Sequence, residues 1–297
     1  MLSPAPIPLA RLRAAVEAAG APPRKRHGQH FLQDNNLLAT IAREAEIGRD
    51  DTVLEIGPGP GLLTRHLLAT GAAVVAIEID PRVRLAAQEL IEPELCRRLR
   101  WIEGDALAGA RALSPDVDVV LARCTRVVSN LPYNVGAQLV VLLLTHPRCP
   151  ERLVFLLQRE VGERLLAAPG TRDYGPLSVF TALCSRARLL RRVPGSAFWP
   201  APRVESVLVR LERRPDRPEP AVLQELEAFL RPAFKSRRKT LLNSLAEAEG
   251  LSPRQAAARL ALPENQEKER AEAYSPVQLR DLAHAWASTA PGQPNCP

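Results

Sequence analysis

The sequence predicts an α/β protein, a parallel sheet covered by helices on both faces and followed by a small all-helical C-terminal domain. Short apolar runs alternate with segments whose apolar residues recur every three or four positions. A glycine-rich turn joins the first buried run to a helix. The strand signal stops at a proline-rich stretch, 213–220, and does not return.

Residues 1–23 are rich in Pro and Ala, with Arg11 and Arg13 against the single acid Glu17. They are expected to form a loose N-terminal extension, a mitochondrial transit peptide being the alternative. After the basic stretch 24–32, Leu37, Leu38, Ile41 and Ala45 repeat at helical spacing. Strands are expected at 52–56, 74–79, 99–102, 117–121, 127–129, 153–157 and 206–211, and helices at 62–69, 82–91, 136–145, 160–167 and 176–184. These make one domain, 24–212. Residues 213–220 read as a linker, 221–288 as a helical domain with helices at 222–231, 237–248, 253–260 and 276–287, and 289–297 as a frayed tail.

The longest apolar run, 139–144, is far shorter than the ~20 residues that span a bilayer, and the N-terminus lacks the apolar core of a signal peptide. A cytoplasmic protein without membrane partners is expected. Five scattered cysteines with no C-x-x-C pair point to structural thiols and no metal. With 40 Lys and Arg against 33 Asp and Glu, the formal charge of +7 favours phosphate-bearing partners.

The segment Val53-Leu54-Glu55-Ile56-Gly57-Pro58-Gly59-Pro60-Gly61 is a strand running into a turn that a ligand can approach closely. By itself it fits NAD, a nucleotide, S-adenosylmethionine or a bare turn. Glu78, at the end of the next strand, can accept hydrogen bonds from both hydroxyls of a ribose. Asp105, after the third strand, is either an acceptor for an adenine amino group or a turn residue. Together these describe an adenosine pocket at the carboxyl edge of the sheet. None of the five histidines stands where a hydride-transfer enzyme needs its acid or base.

Ser129-Asn130-Leu131-Pro132-Tyr133-Asn134 follows a later strand. An adenine amino nitrogen is a poor nucleophile because its lone pair is delocalised into the ring. Two acceptors that take both of its N–H hydrogens at an angle favour a pyramidal nitrogen. Asn130 Oδ1 and the Leu131 carbonyl can supply them, Pro132 fixes the turn, and Tyr133 offers a face for stacking. An incidental Asn-Pro-type loop is the bland alternative.

In these motifs the chain resembles the ribosomal RNA adenine dimethyltransferase family, in particular its bacterial small-subunit branch. The likeness runs from about Arg24 to Tyr274 and rests also on Gly28-Gln29-His30-Phe31-Leu32, Gln158-Arg159-Glu160-Val161, Tyr174-Gly175-Pro176-Leu177-Ser178, the segment 197–206 and Phe234-Lys235-Ser236-Arg237-Arg238-Lys239-Thr240. His27 departs from the family pattern, where a bulkier apolar residue is usual. The resemblance implies a Rossmann-like class I methyltransferase sheet with S-adenosyl-L-methionine held by His30, Leu32, Gly57, Glu78, Asp105 and Asn130. It also implies Phe198 near the target base and two adjacent adenines of 16S rRNA, in an assembling 30S subunit, as substrate of a monomer.

Arg231, Lys235, Arg237, Arg238 and Lys239 read as a basic cluster at the start of a helix, either a solvated face or, with Arg24, Lys25 and Arg26, a phosphate-gripping channel. Aromatic residues make up only 4% of the chain, which disfavours a long single-strand stacking platform. Three other functions share parts of this pattern. They are a binding protein on the same fold, a large-subunit resistance methyltransferase, and a nicotinamide dehydrogenase.

Overall fold

Unbroken apolar runs become strands buried on both faces. The structure, a computed structural model, describes residues 4–24, 28–263 and 266–289. The elements in chain order are α1 (Leu9–Ala18), β1 (Phe31–Leu32), α2 (Asn35–Glu44), β2 (Thr52–Ile56), α3 (Leu62–Ala69), β3 (Ala73–Glu78), α4 (Pro81–Leu90), β4 (Leu99–Glu103) and α5 (Pro115–Leu121). Then follow β5 (Arg126–Asn130), α6 (Gly136–Thr145), β6 (Arg152–Gln158), α7 (Arg159–Leu165), α8 (Pro176–Cys184), β7 (Ser185–Val193), β8 (Phe198–Trp199) and β9 (Ser206–Arg213). The last four helices are α9 (Pro220–Ala233), α10 (Leu241–Glu249), α11 (Pro253–Leu260) and α12 (Pro276–Ser288).

The chain divides into two compact units, 1–143 with 148–162 and 186–213, and 144–147 with 163–185 and 214–297. The first holds a seven-stranded sheet in the order β4-β3-β2-β5-β6-β9-β7. Strands β4, β3, β2, β5 and β6 pair in parallel, and β9 runs antiparallel to β6. The sheet, expected to be parallel, is therefore mixed. Strand order reverses about β2, which lies between β3 and β5. Loops leaving the carboxyl ends of β2 and its neighbours part there and open a crevice, which is where an open α/β sheet binds its ligand.

Two further expectations are corrected within this unit, and one strand is added. Residues 117–121, read as a strand, lie in α5: Ser114 Oγ accepts the Val117 N–H, Pro115 occupies the first turn, and Asp116 and Asp118 face the positive end of the helix dipole. The stretch expected to be a loose extension contains α1, whose Leu12, Ala15 and Val16 are buried in the core shared with α4. Strand β7 was not foreseen; its interior is largely exposed, so it lacks the apolar run that marks the buried strands.

In the second unit α12 packs against α8, α9 and α11, and α10 against α9 and α11. Leu226, Phe229, Leu245 and Leu279 are buried there. Trp286 Nε1 donates to Glu249 Oε1 at 2.9 Å, and the Arg259 guanidinium stacks 3.9 Å from the same ring. The expected linker is anchored, since Arg217 donates to the carbonyls of Leu144, His146 and Pro147 at 2.9 Å each. Residues 235–240, expected at the start of a helix, form a turn ahead of α10. Thr240 caps that helix by accepting the Asn243 N–H.

Candidate active site

The turn after β2 needs three glycines for steric reasons that the structure makes specific. Gly57 (φ +67°) and Gly59 (φ +57°) sit in the left-handed region. A Cβ on Gly57 would lie 3.2 Å from Pro132 Cγ, and one on Gly59 would lie 3.0 Å from Phe31 Cδ1. The glycine turn is thus packed against both the Asn130–Tyr133 loop and the β1 segment. Gly61 caps α3.

Glu78, 5% exposed, projects from the end of β3. Its Oε2 accepts the Gly59 N–H and its Oε1 the Asp80 N–H, each at 3.1 Å. Burial raises its pKa against those two N–H donors. Each oxygen keeps a further lone pair for a ligand hydroxyl. Asp105 also borders the cavity, and its Oδ1 accepts the Leu107 N–H at 2.9 Å, so the turn role expected as the alternative is present.

Glu55 is a second buried acid in the wall, donated to by Thr64 Oγ1 at 2.7 Å. Burial pushes its pKa up to about 8, opposed by the Thr64 hydroxyl and reinforced by Glu78. The folded chain therefore holds this proton over a window, from about 4.5 to about 8, in which the unfolded chain releases it. The native state binds the extra proton there, so the Glu55 contribution to stability declines as pH rises, by at most ~1.4 kcal/mol per unit. Glu55→Gln should reduce the fall in Tm between pH 5 and pH 8, read by calorimetry. An unaltered Tm–pH profile would mean that Glu55 is already ionised in the fold.

Asn130 ends β5 beside β2. Its Nδ2 donates to the His30 carbonyl at 2.9 Å, which fixes the amide so that Oδ1 faces away from that bond. Oδ1 is buried without a hydrogen-bond partner among the described residues. A buried amide oxygen left bare costs about 1–3 kcal/mol unless a ligand donor meets it. The loop continues with Leu131, whose N–H donates to Leu156 O, and Pro132, whose carbonyl accepts the Val135 N–H. The Tyr133 hydroxyl and Ser206 Oγ share a hydrogen bond at 2.5 Å, and the Tyr133 ring lies 5.0 Å from that of His30. His30 Nδ1 donates to Pro200 O at 2.7 Å.

His30, Leu32, Gly57, Glu78, Asp105, Asn130, Leu131, Pro132 and Tyr133 all border one cavity of about 1050 Å³, part of it open to solvent. That is ample for an adenosyl ligand with a base alongside. Phe198 is not among its lining residues. It is 2% exposed, pairs with Leu32 across β1 and β8, and belongs to the hydrophobic core. The structure thus gives Phe198 a packing role and does not bring it to the base site.

Sequence reasoning missed Glu55 as a buried acid of the cavity wall, although its place one residue before Ile56 on the same strand was visible. It also missed Gln29, whose Oε1 accepts the Arg24 N–H at 2.9 Å. Arg24 is held near Asp80, at 4.0 Å. Lys25 and Arg26 lie outside the described residues. In the helical unit Lys235 and Arg238 are exposed, Arg237 donates to Tyr174 O at 3.1 Å, and Lys239 is ion-paired with Glu247.

A family model described as ribosomal RNA adenine dimethylase matches residues 21–278. The chain belongs to the ribosomal RNA adenine dimethylase family. It is 46% identical over 238 residues to a ribosomal RNA small subunit methyltransferase A of Phenylobacterium zucineum, covering 80% of this chain and 81% of the relative. A relative of the same name from Maricaulis maris is 40% identical over 280 residues, covering 93% and 94%. Among solved structures it resembles a dimethyladenosine transferase from Plasmodium falciparum (TM-score 0.68, 25% identity, 88% of this chain and 98% of that one). It also resembles the 23S rRNA methyltransferase ErmE (TM-score 0.56, 26% identity, 86% and 99%).

As a family member the chain is an S-adenosylmethionine-dependent rRNA adenine dimethyltransferase. The residues present fit that cofactor: a turn with glycine at 57, 59 and 61, a buried carboxylate at the next strand end, and an unmet amide oxygen beyond them. Among the described residues no group of His, Cys, Asp or Glu could hold a metal ion, and no helix is long and apolar enough to cross a membrane.

Proposed function

We propose that this adenine dimethyltransferase acts on two adjacent adenines near the 3′ end of 16S rRNA, as a monomer, in the cytoplasm, on an assembling 30S subunit. The observation that carries the chemistry is the buried, unmet Asn130 Oδ1 beside the glycine turn. The choice of subunit rests on the small-subunit methyltransferases at 40–46% identity, against 26% for the large-subunit enzyme.

When bound, S-adenosylmethionine supplies an electrophilic methyl whose sulfonium leaves as a neutral thioether, so no general acid is needed. Glu78 offers its remaining lone pairs to the ribose hydroxyls, and Asp105, His30 and Leu32 complete the adenosyl side. Asn130 Oδ1 accepts one N–H of the target amine and the Leu131 carbonyl the other, localising the nitrogen lone pair. Tyr133, held by Ser206, gives the flipped base a stacking face. Water carries away the amine proton once the new C–N bond has formed. Catalysis here is mainly alignment and hydrogen bonding to the amine.

Lys235, Arg237, Arg238 and Lys239 in the helical unit, and Arg24, Lys25 and Arg26 in the first, are the phosphate contacts of this reading. Charge reversal at Lys235 and Arg238 should weaken RNA binding and flatten its salt dependence, by about 0.7–0.9 in log–log slope per lost phosphate contact. Filter binding over a salt titration checks this, and an unchanged slope would remove the loop from the interface. Arg237→Glu should also destabilise the helical unit, because it deletes the bond to the Tyr174 carbonyl. The target subunit is tested by offering equal amounts of unmodified small and large subunits with labelled cofactor. Label in the small subunit supports the reading, and label confined to the large subunit overturns it.

A further inference from the structure

One strand is basic in a way that neither the methyl-transfer cavity nor the helical unit explains. Strand β7 reads Ser-Arg-Ala-Arg-Leu-Leu-Arg-Arg-Val. From Arg186 to Arg203 the chain has five arginines and no acid. Strand β7 ends the seven-stranded order: one edge bonds β9, and the other meets no strand among the described residues. Arg186, Arg188, Arg191 and Arg192 are all exposed, while Ser185 and Val193 at the ends are buried and Leu190 packs against the core.

These arginines also stand without acidic partners. Among the described residues none of the four makes an ion pair or a side-chain hydrogen bond. On the neighbouring strands of the same sheet, Arg152 pairs with Glu46 and Glu212, and Arg210 with Glu44 and Glu212. Four unscreened like charges on nine residues destabilise the strand. Guarding an edge against strand addition needs only a charge or two, of either sign. A uniform positive sign and guanidinium forks match a polyphosphate better. Alternate residues of a strand stand about 6.6 Å apart on one face, so Arg186 and Arg188 form a row that can follow successive phosphates.

We propose that β7 is an RNA-backbone contact of the methyltransferase unit, its four arginines gripping phosphates of the RNA that supplies the target adenines. This rests on the rRNA reading above. The contact is sequence-independent and adds affinity and register, with no part in the chemistry.

The test uses the full chain and two quadruple variants, one with all four arginines changed to Gln and one with all four changed to Lys. Binding to unmodified small-subunit rRNA is measured across a salt titration, with S-adenosylmethionine affinity and Tm as controls for folding. The Gln variant should bind at least about tenfold more weakly, with a log–log slope shallower by about two or more. The Lys variant should keep most of both. Should the Gln variant aggregate, R186Q/R188Q and R191Q/R192Q, each retaining two charges, should each lose about half of that slope. Parental slope and affinity in the Gln variant or in both pairs, or equal losses in the Gln and Lys variants, would overturn the proposal. Failure of the parent chain to bind or methylate small-subunit rRNA would instead overturn the functional reading on which it rests.

Discussion

Asn130→Ala slows methyl transfer by about 100- to 1000-fold while leaving RNA binding nearly intact. The amide of Asn130 is pinned by its donation to the His30 carbonyl, so its oxygen is presented as an acceptor with no reorganisation left to make. Removing one preorganised polar group of this kind from an active site costs about 100- to 1000-fold in turnover. The loss should fall on kcat, because the lone pair of the amine is tuned only as the new bond forms. Single-turnover transfer from labelled S-adenosylmethionine measures it, with filter binding of the RNA alongside. Equal loss of binding and transfer would show that the loop merely holds the fold together.

Glu78→Gln weakens the cofactor by about ten- to a hundredfold. Both carboxylate oxygens accept backbone N–H groups, from Gly59 and Asp80. An amide in their place must turn its NH2 toward one of those donors, so one buried bond becomes a donor–donor contact. It also gives up an acceptor for the ribose. A hydrogen bond to a charged group contributes about 1.5–3 kcal/mol, which sets the range. Titration calorimetry with S-adenosylmethionine reads the change. A parental Kd would mean that the carboxylate serves the glycine turn alone.

The site was more legible than the frame around it. Glycines after β2, acids after β3 and β4, and Asn130 after β5 are local signals, and each falls at a strand end because apolar runs mark strands well. Phe198 shows the limit of such reasoning. An aromatic in a short segment between prolines gives no sign of which way its ring faces, and antiparallel pairing with Leu32 turns it into the core. The sequence 117–121 is apolar enough for either a strand or a helix, and the deciding signal was the Ser114-Pro115 start just before it. Strand β7 was hidden by its arginines, since an edge strand need not be apolar. Helix α1 was hidden by the flanking prolines, although Leu12, Ala15 and Val16 share one face. Glu55 sat in plain view, but its protonation depends on burial and on the nearby Glu78, which only the fold brings together.

Asn130 and its neighbours are expected to direct methyl groups to adenine N6 in small-subunit RNA. The most direct measurement incubates the protein and S-adenosylmethionine with small subunits from a strain lacking the modification. The RNA is then digested, its nucleosides are identified by mass spectrometry, and the modified positions are mapped. N6,N6-dimethyladenine is expected at two neighbouring adenines near the 3′ end, formed at least about a hundredfold more slowly with Asn130→Ala. A small-subunit RNA without dimethyladenine, or one carrying it elsewhere, would contradict this expectation.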